Sequence, residues 1–148
     1  MSLLGLKLMN IETLQNPPAA LFEELEEKIT AFNEELWEVK TKYPLAIAAR
    51  DEEGVLLAGA SARTFGLWLL IENIWVSEAL RGQDMGSKIL AQLEAAAIER
   101  GCQFALLDTL NFQAQPFYEK FNYQVGWIQP SYPVTGCKYF MSKQLIAA

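Results

Sequence analysis

A glycine-bearing segment with the sequence RGQDMGS, at residues 81–87, lies between a long apolar run and a stretch with helical periodicity. A glycine turn that opens a helix presents unpaired backbone N–H groups at the positive end of the helix dipole, which suits a phosphate-like anion. No Gly-Lys-Ser/Thr follows, so this is not a Walker loop, and the dinucleotide pattern G-x-G-x-x-G is absent. On these residues alone, an anion site and an ordinary strand-to-helix turn both stay open.

The chain contains no histidine, and this narrows its chemistry. Ser-His-Asp and Cys-His catalysis are excluded, and so is a metal site built on histidine. Cys102 and Cys137 are too few and too far apart for a zinc cluster or a disulfide framework. We therefore expect two reduced thiols, no metal and a cytoplasmic location.

Length and composition fit one domain, residues 1–148, with 51% hydrophobic and 20% charged residues. No apolar run reaches the roughly 18 residues of a membrane span, so no membrane partner is expected. A net charge of −6 and a pI near 4.7 argue against a nucleic-acid partner. The whole excess of acid lies in residues 1–60, with 5 basic and 11 acidic side chains, whereas residues 61–148 hold 7 of each.

Hydrophobic periodicity predicts the elements that must hold the glycine segment. It predicts strands at residues 4–10, 45–50, 55–63, 67–77, 104–107, 123–128 and 138–145. It predicts helices at residues 18–39, from Met85 up to Gly101, and at 112–121, with Asn16 as the N-cap of the first. Strands that are first consecutive and then alternate with helices indicate a mixed α/β sheet.

Two segments in this order resemble motifs of the GNAT superfamily of N-acetyltransferases. The strand at 67–77, followed by Arg81 through Gly86, resembles the family's Arg/Gln-x-x-Gly-x-Gly/Ala motif. The sequence NFQAQPFYEKFNY at residues 111–123 resembles the family's Asn-x-x-Ala-x-x-Leu-Tyr-Glu-Lys-Leu-Gly-Phe segment. The resemblance, good over residues 45–146, implies a mixed, mostly antiparallel central sheet with a splayed parallel strand pair and helices on both faces.

The resemblance also implies acetyl-CoA as co-substrate, bound where the strands at 67–77 and 104–108 splay apart. Pantetheine would pair with the backbone of the first strand, and the pyrophosphate would meet the amides of the glycine loop. By position, the binding residues are Ile74, Trp75, Val76, Arg81, Gly82, Gln83, Asp84, Met85, Gly86, Ser87, Asn111, Phe117 and Tyr118. Arg81 and Lys88 either offset the phosphate charge or are solvated surface cations.

Three residues carry the catalytic expectations. Tyr118 matches the family tyrosine that protonates the departing thiolate, although a buried helix tyrosine is the plain alternative. Asn111 matches the asparagine that contacts cofactor and tyrosine. Glu72 is the only acidic residue inside the strand at 67–77 and should share a face with Leu70 and Ile74. It is either a base or amine anchor, acting through water, or an ion-pair partner of Arg63.

Two residues depart from the family pattern. Asp84 occupies the first glycine of the loop motif, where its carboxylate either faces a polyanion or points away and caps the following helix. Asn122 replaces the glycine after the last helix, which is benign because asparagine tolerates a left-handed backbone.

The predicted activity is transfer of acetyl from acetyl-CoA to a primary amine of a small molecule or peptide, by direct attack. The alternative is a catalytically silent CoA-binding or regulatory module with the same fold, which Asp84 favours. A homodimer is expected because many family members dimerise. Glu34, Glu35 and Glu38 form either a solvated helix face or an attraction for a cationic acceptor.

Overall fold

The computed structural model describes residues 9–147. The chain divides into an N-terminal unit that ends at Lys40 and a second unit that begins at Thr41, and each is described by itself. The strand predicted at residues 4–10 lies outside the described residues except for its last two, which are in no helix or strand. Among the described residues, no helix is long and apolar enough to cross a membrane.

The N-terminal unit contains one helix, α1 (Ala19–Glu34), among its described residues. Its N-cap is Pro18, in an extended conformation, so the prediction of Asn16 was wrong. The reason is steric, because a residue that precedes proline is disfavoured in helical conformation, and helix therefore starts only after the second proline. The helix ends at Glu34 instead of residue 39, and no basic side chain offsets the helix dipole in its last turn.

The second unit is built on a six-stranded sheet with the order β1-β2-β3-β4-β6-β5. The strands are β1 (Tyr43–Arg50), β2 (Leu56–Phe65), β3 (Trp68–Val76), β4 (Phe104–Leu110), β5 (Gln124–Pro130) and β6 (Cys137–Gln144). All neighbouring strands run antiparallel except β3 and β4, which are parallel. The predicted mixed, mostly antiparallel sheet is confirmed.

Two helices follow the third and fourth strands. A 3-10 turn (Glu78–Leu80) leads into α2 (Met85–Glu99), whose apolar face contributes Ile89, Leu90 and Leu93 to the core. The other helix, α3 (Gln115–Lys120), is shorter than the predicted 112–121. In the segment before α3, backbone N–H groups bond to side chains instead of forming helical hydrogen bonds. The N–H of Leu110 donates to Gln113 Oε1 at 2.7 Å, and that of Ala114 donates to Thr109 Oγ1 at 3.3 Å.

The parallel strand pair separates after three residue pairs. β3 and β4 are paired only from Trp68↔Phe104 to Leu70↔Leu106, after which β3 stays with β2 and β4 stays with β6. A bulge accompanies the separation, because Ile71 faces Ala62 and Asn73 faces Ser61, which leaves Glu72 as the extra residue. Such a bulge bends its strand, so the two carboxyl-terminal halves diverge and open a cleft.

Candidate active site

Two cavities occupy the cleft between the splayed strands. The first has a volume of about 470 Å³ and lies between the glycine loop and α3. The second has a volume of about 430 Å³ and lies between the diverging halves of β3 and β4. Five residues line both cavities: Ile74, Val76, Arg81, Ala114 and Tyr118. A molecule in either cavity would therefore contact the same group of side chains.

The glycine loop presents its backbone amides to the first cavity. Gly82 and Asp84 have positive φ, 82° and 60°, and this backbone turns the chain into the first residue of α2. Within the described part of the chain, the N–H groups of residues 82–87 make no backbone hydrogen bond. Free amides at the N-terminal end of a 15-residue helix suit an anion such as a pyrophosphate.

Asp84 occupies the N-cap position of α2 without capping it through its side chain. Only its carbonyl takes part, as the acceptor of the N–H of Lys88 at 3.1 Å. The interpretation of Asp84 as a side-chain cap was therefore wrong, and the residue lines the first cavity. Aspartate is one of the few residues other than glycine that visits a left-handed backbone, which is why the motif survives the substitution.

The remaining loop residues divide between the cavity wall and the scaffold. Arg81 lines both cavities, and its Nε–H donates to the Val76 carbonyl at 3.4 Å. Gly86 lies against Phe117, since a Cβ added to it would be 3.2 Å from Phe117 Cε1. Met85 and Ser87 line the first cavity as well. Gln83 does not, and its amide donates to the Ala79 carbonyl at 3.4 Å.

Two other predicted cofactor residues lie elsewhere. Trp75 lines the second cavity and not the first, although its backbone belongs to the strand edge that β4 leaves free. Asn111 lines neither, and its Oδ1 accepts the N–H of Cys137 at 3.2 Å at the start of β6. Its predicted contact with cofactor and tyrosine stays a prediction.

Tyr118 is held in place by its ring. The residue is 8% exposed, and its ring packs edge-on against Phe117 at 5.1 Å and Tyr123 at 5.7 Å between centroids. Its hydroxyl makes no hydrogen bond to any residue the structure describes. Burial raises the pKa of the phenol above its ordinary value. The hydroxyl is thus a protonated donor without a protein partner, at the wall that the two cavities share.

Glu72 lies at the bulge and lines the second cavity. Its Oε1 accepts the Nε–H of Arg63 at 2.9 Å, and both side chains are nearly half exposed. Glu72 was predicted to share a strand face with Leu70 and Ile74. It lies on the side of Leu70, as predicted, but the prediction for Ile74 was wrong, because Ile74 faces Ala60 on the buried side. The bulge shifts the two-residue alternation, which the sequence pattern cannot show. The ion pair with Arg63 is present, and a role for Glu72 as base stays a prediction.

The lining of the second cavity includes residues that were not predicted, among them Asp108, Thr109, Phe112 and Gln113. Thr109 and Gln113 shape the turn before α3 through their hydrogen bonds. Asp108 projects from β4 between the buried Leu107 and Thr109. The signal was available, because Asp108 is an acidic residue in an apolar strand, as Glu72 is.

Comparison with known proteins decides the family. A model of the acetyltransferase (GNAT) family matches residues 6–123. The chain belongs to the GNAT family of acetyltransferases. An acetyltransferase of Agrobacterium fabrum is 31% identical over 107 residues, which cover 72% of this chain and 78% of the relative. Blasticidin-S acetyltransferase of Streptomyces morookaense is 33% identical over 101 residues, which cover 68% and 74%.

The fold is shared with solved GNAT structures. An acetyltransferase from Agrobacterium tumefaciens superposes with a TM-score of 0.84 at 26% identity, over 92% of this chain and 99% of that one. The protein is therefore an acyl-CoA-dependent acetyltransferase with the GNAT fold, and its substrate and mechanism have to be argued from the site.

Proposed function

We propose that this GNAT protein transfers the acetyl group of acetyl-CoA to a primary amine of a small molecule or peptide by direct attack. The observation that carries the proposal is the position of Tyr118, which lines both cavities. A thioester in one cavity and an amine in the other would meet beside its hydroxyl. Tyr118 is then the group best placed to act on the bond that breaks.

The first cavity fits the polyanionic end of acetyl-CoA. The free amides of residues 82–87 suit its pyrophosphate, and the cationic side chains of Arg81 and Lys120 line the same space. Past Leu70, the edge of β3 that faces the cleft has no partner strand among the described residues, so an extended pantetheine can pair with the backbone of Ile74 to Val76. The co-substrate supplies the activated acyl group, and the protein has to orient it.

The chemistry asked of the protein is the transfer of two protons. The amine nitrogen attacks the thioester carbonyl, a C–N bond forms, and the C–S bond breaks. Glu72, through a water molecule, takes the proton that the amine loses, because the chain has no histidine to serve as base. Tyr118, whose raised pKa keeps the phenol protonated, gives its proton to the departing thiolate and regains one from the second proton that the nitrogen loses as the amide forms.

The second cavity favours an acceptor with positive charge. Its polar wall includes the carboxylates of Glu72 and Asp108, on the two strands that diverge. A protonated amine is attracted there before it loses its proton. This supports a cationic acceptor more directly than Glu34, Glu35 and Glu38, which all belong to the N-terminal unit.

The test is acetyl transfer to a panel of amines. Thiol release from acetyl-CoA and the mass of the acetylated product would be measured with polyamines, aminoglycosides, amino acids, peptides and blasticidin S, the substrate named for the Streptomyces relative. We expect turnover with at least one cationic primary amine. Binding of CoA at micromolar concentration, with no acetylated product from any amine, would contradict the proposal and favour the silent CoA-binding module.

A further inference from the structure

The ammonium group of Lys138 is close to two aromatic rings and a carboxylate. Its Nζ is 4.3 Å from the ring centre of Tyr132, 5.9 Å from that of Phe140 and 4.0 Å from Asp108 Oδ1. The strand register explains the assembly, because Asp108 faces Phe140 directly and Lys138 is two residues along the same strand. Carboxylate and aromatic faces are the groups that hold an organic cation in water.

The two carboxylates of the second cavity are not equally engaged. Glu72 accepts a 2.9 Å hydrogen bond from Arg63, which makes it a tight ion pair. Asp108 is 4.0 Å from Lys138, too far for a hydrogen bond, and no described residue donates one to it. Its side chain is 53% exposed, so its oxygens are open to a ligand in the cavity.

The contacts of Lys138 with the two rings also keep its ammonium from moving closer to Asp108. Only 20% of the lysine side chain is exposed, and its ammonium is 4.3 Å from the ring centre of Tyr132, well within the roughly 6 Å of a cation–π contact. Lys138 thus lowers the negative potential at Asp108 without occupying its oxygens. The net attraction of an incoming cation is therefore the attraction by Asp108 less the repulsion by Lys138.

We propose that Asp108 binds a second cationic group of the acceptor, and that Lys138 weakens this binding as a built-in competing cation. The inference rests on the proposed function and deepens it. The substrate class is an amine with at least two cationic groups. One of them is acetylated beside Glu72 and Tyr118, and the other, an ammonium or guanidinium, pairs with Asp108.

The inference predicts opposite effects for the two partners. Asp108→Asn should weaken binding of a diamine about two- to fivefold, the range of a partly exposed ion pair, and weaken binding of a monoamine less. Lys138→Met keeps the apolar stem and removes the charge, so it should tighten diamine binding by a similar factor. Lys42→Met is the matched control, because Lys42 also lies over a ring, Phe65 at 5.5 Å, whereas the ion pair with Asp108 is made by Lys138.

The experiment compares 1,4-diaminobutane with butylamine in the presence of CoA. Dissociation constants would be measured by NMR titration for the wild type and the three variants, with melting temperature and CoA affinity as checks of folding. We expect the wild type to prefer the diamine, Asp108→Asn to lose the preference and Lys138→Met to increase it. A wild type without the preference, or variants that leave it unchanged, would overturn the inference.

Turnover of the same two amines with acetyl-CoA separates this inference from the proposed function. If binding follows the expected pattern but no amine of the wider panel is acetylated, the proposed function fails and the Asp108 site stands. If amines are acetylated but the variants leave the diamine preference unchanged, the Asp108 site fails and the proposed function stands.

Discussion

Removing the negative charge of Asp84 should tighten the binding of CoA. Asp84 lines the cavity whose free amides suit the pyrophosphate, and it is exposed to solvent. An exposed like-charge contact costs about 1 kcal/mol in water, which corresponds to roughly fivefold in the dissociation constant. We therefore expect Asp84→Asn to bind CoA about fivefold more tightly than the wild type.

Asparagine is the informative substitution because it changes the charge and keeps the backbone. Asp84 has a φ of 60°, which asparagine also tolerates. Asp84→Gly should tighten binding at least as much, because it removes the side chain that stands in the path of a phosphate. Its stability should change by less than about 1 kcal/mol, since relief of backbone strain is offset by greater freedom of the unfolded chain.

The assay is isothermal calorimetry of CoA binding at low and high salt. The gain of Asp84→Asn should shrink as salt rises, because screening shortens the reach of an exposed charge. Glu99→Gln is the control, since it removes the same charge from the far end of α2, roughly 22 Å away. Equal or weaker CoA binding by Asp84→Asn at low salt would refute the reasoning.

Three further predictions follow from the same contacts. Gly86→Ala should weaken CoA binding several-fold without loss of stability, because its Cβ would displace Phe117, at 3.2 Å, into the first cavity; calorimetry that shows full affinity would contradict this. Tyr123→Phe should lower the free energy of unfolding by about 1.5–3 kcal/mol in urea titrations, since its hydroxyl donates to Glu94 Oε2 at 2.7 Å, and unchanged stability would be the opposing result. Burial raises the pKa of Tyr118, so the phenol stays protonated as pH rises. At any pH below about 9, ionisation of Tyr118 should therefore cause no decline in turnover. A falling limb in that range that is absent from Tyr118→Phe would contradict the assignment.

The sequence predicts the parts of the fold that depend on local pattern. The apolar run of β3, the glycine loop and the periodic face of α2 are visible in the residue order, and the structure has them. The helix at α3 was overextended, because hydrogen bonds from Thr109 and Gln113 hold the preceding residues in a turn. Such side-chain competition with the helix depends on contacts that periodicity does not record.

The site was harder to predict where it depends on register. One extra residue in β3 moves Ile74 to the buried face and leaves Glu72 on the other, and alternation alone gives no sign of that bulge. The acidic residue Asp108 is visible in the sequence, but that it lines the same cavity as Glu72 follows from the divergence of β3 and β4. Motif position assigns Asn111 to the cofactor, and it gives no sign that the Oδ1 of this residue accepts the N–H of Cys137 at the start of β6.

The central claim is that Tyr118 supplies the proton to the leaving thiolate, and turnover of Tyr118→Phe tests it most directly. The hydroxyl has no hydrogen-bond partner among the described residues, and phenylalanine keeps the ring packing, so folding and CoA affinity should be unchanged. With saturating acetyl-CoA and an identified acceptor, the account predicts a kcat roughly 10²- to 10⁴-fold below the wild type, the usual share of a positioned acid. A variant that binds CoA normally and turns over at the wild-type rate would contradict it.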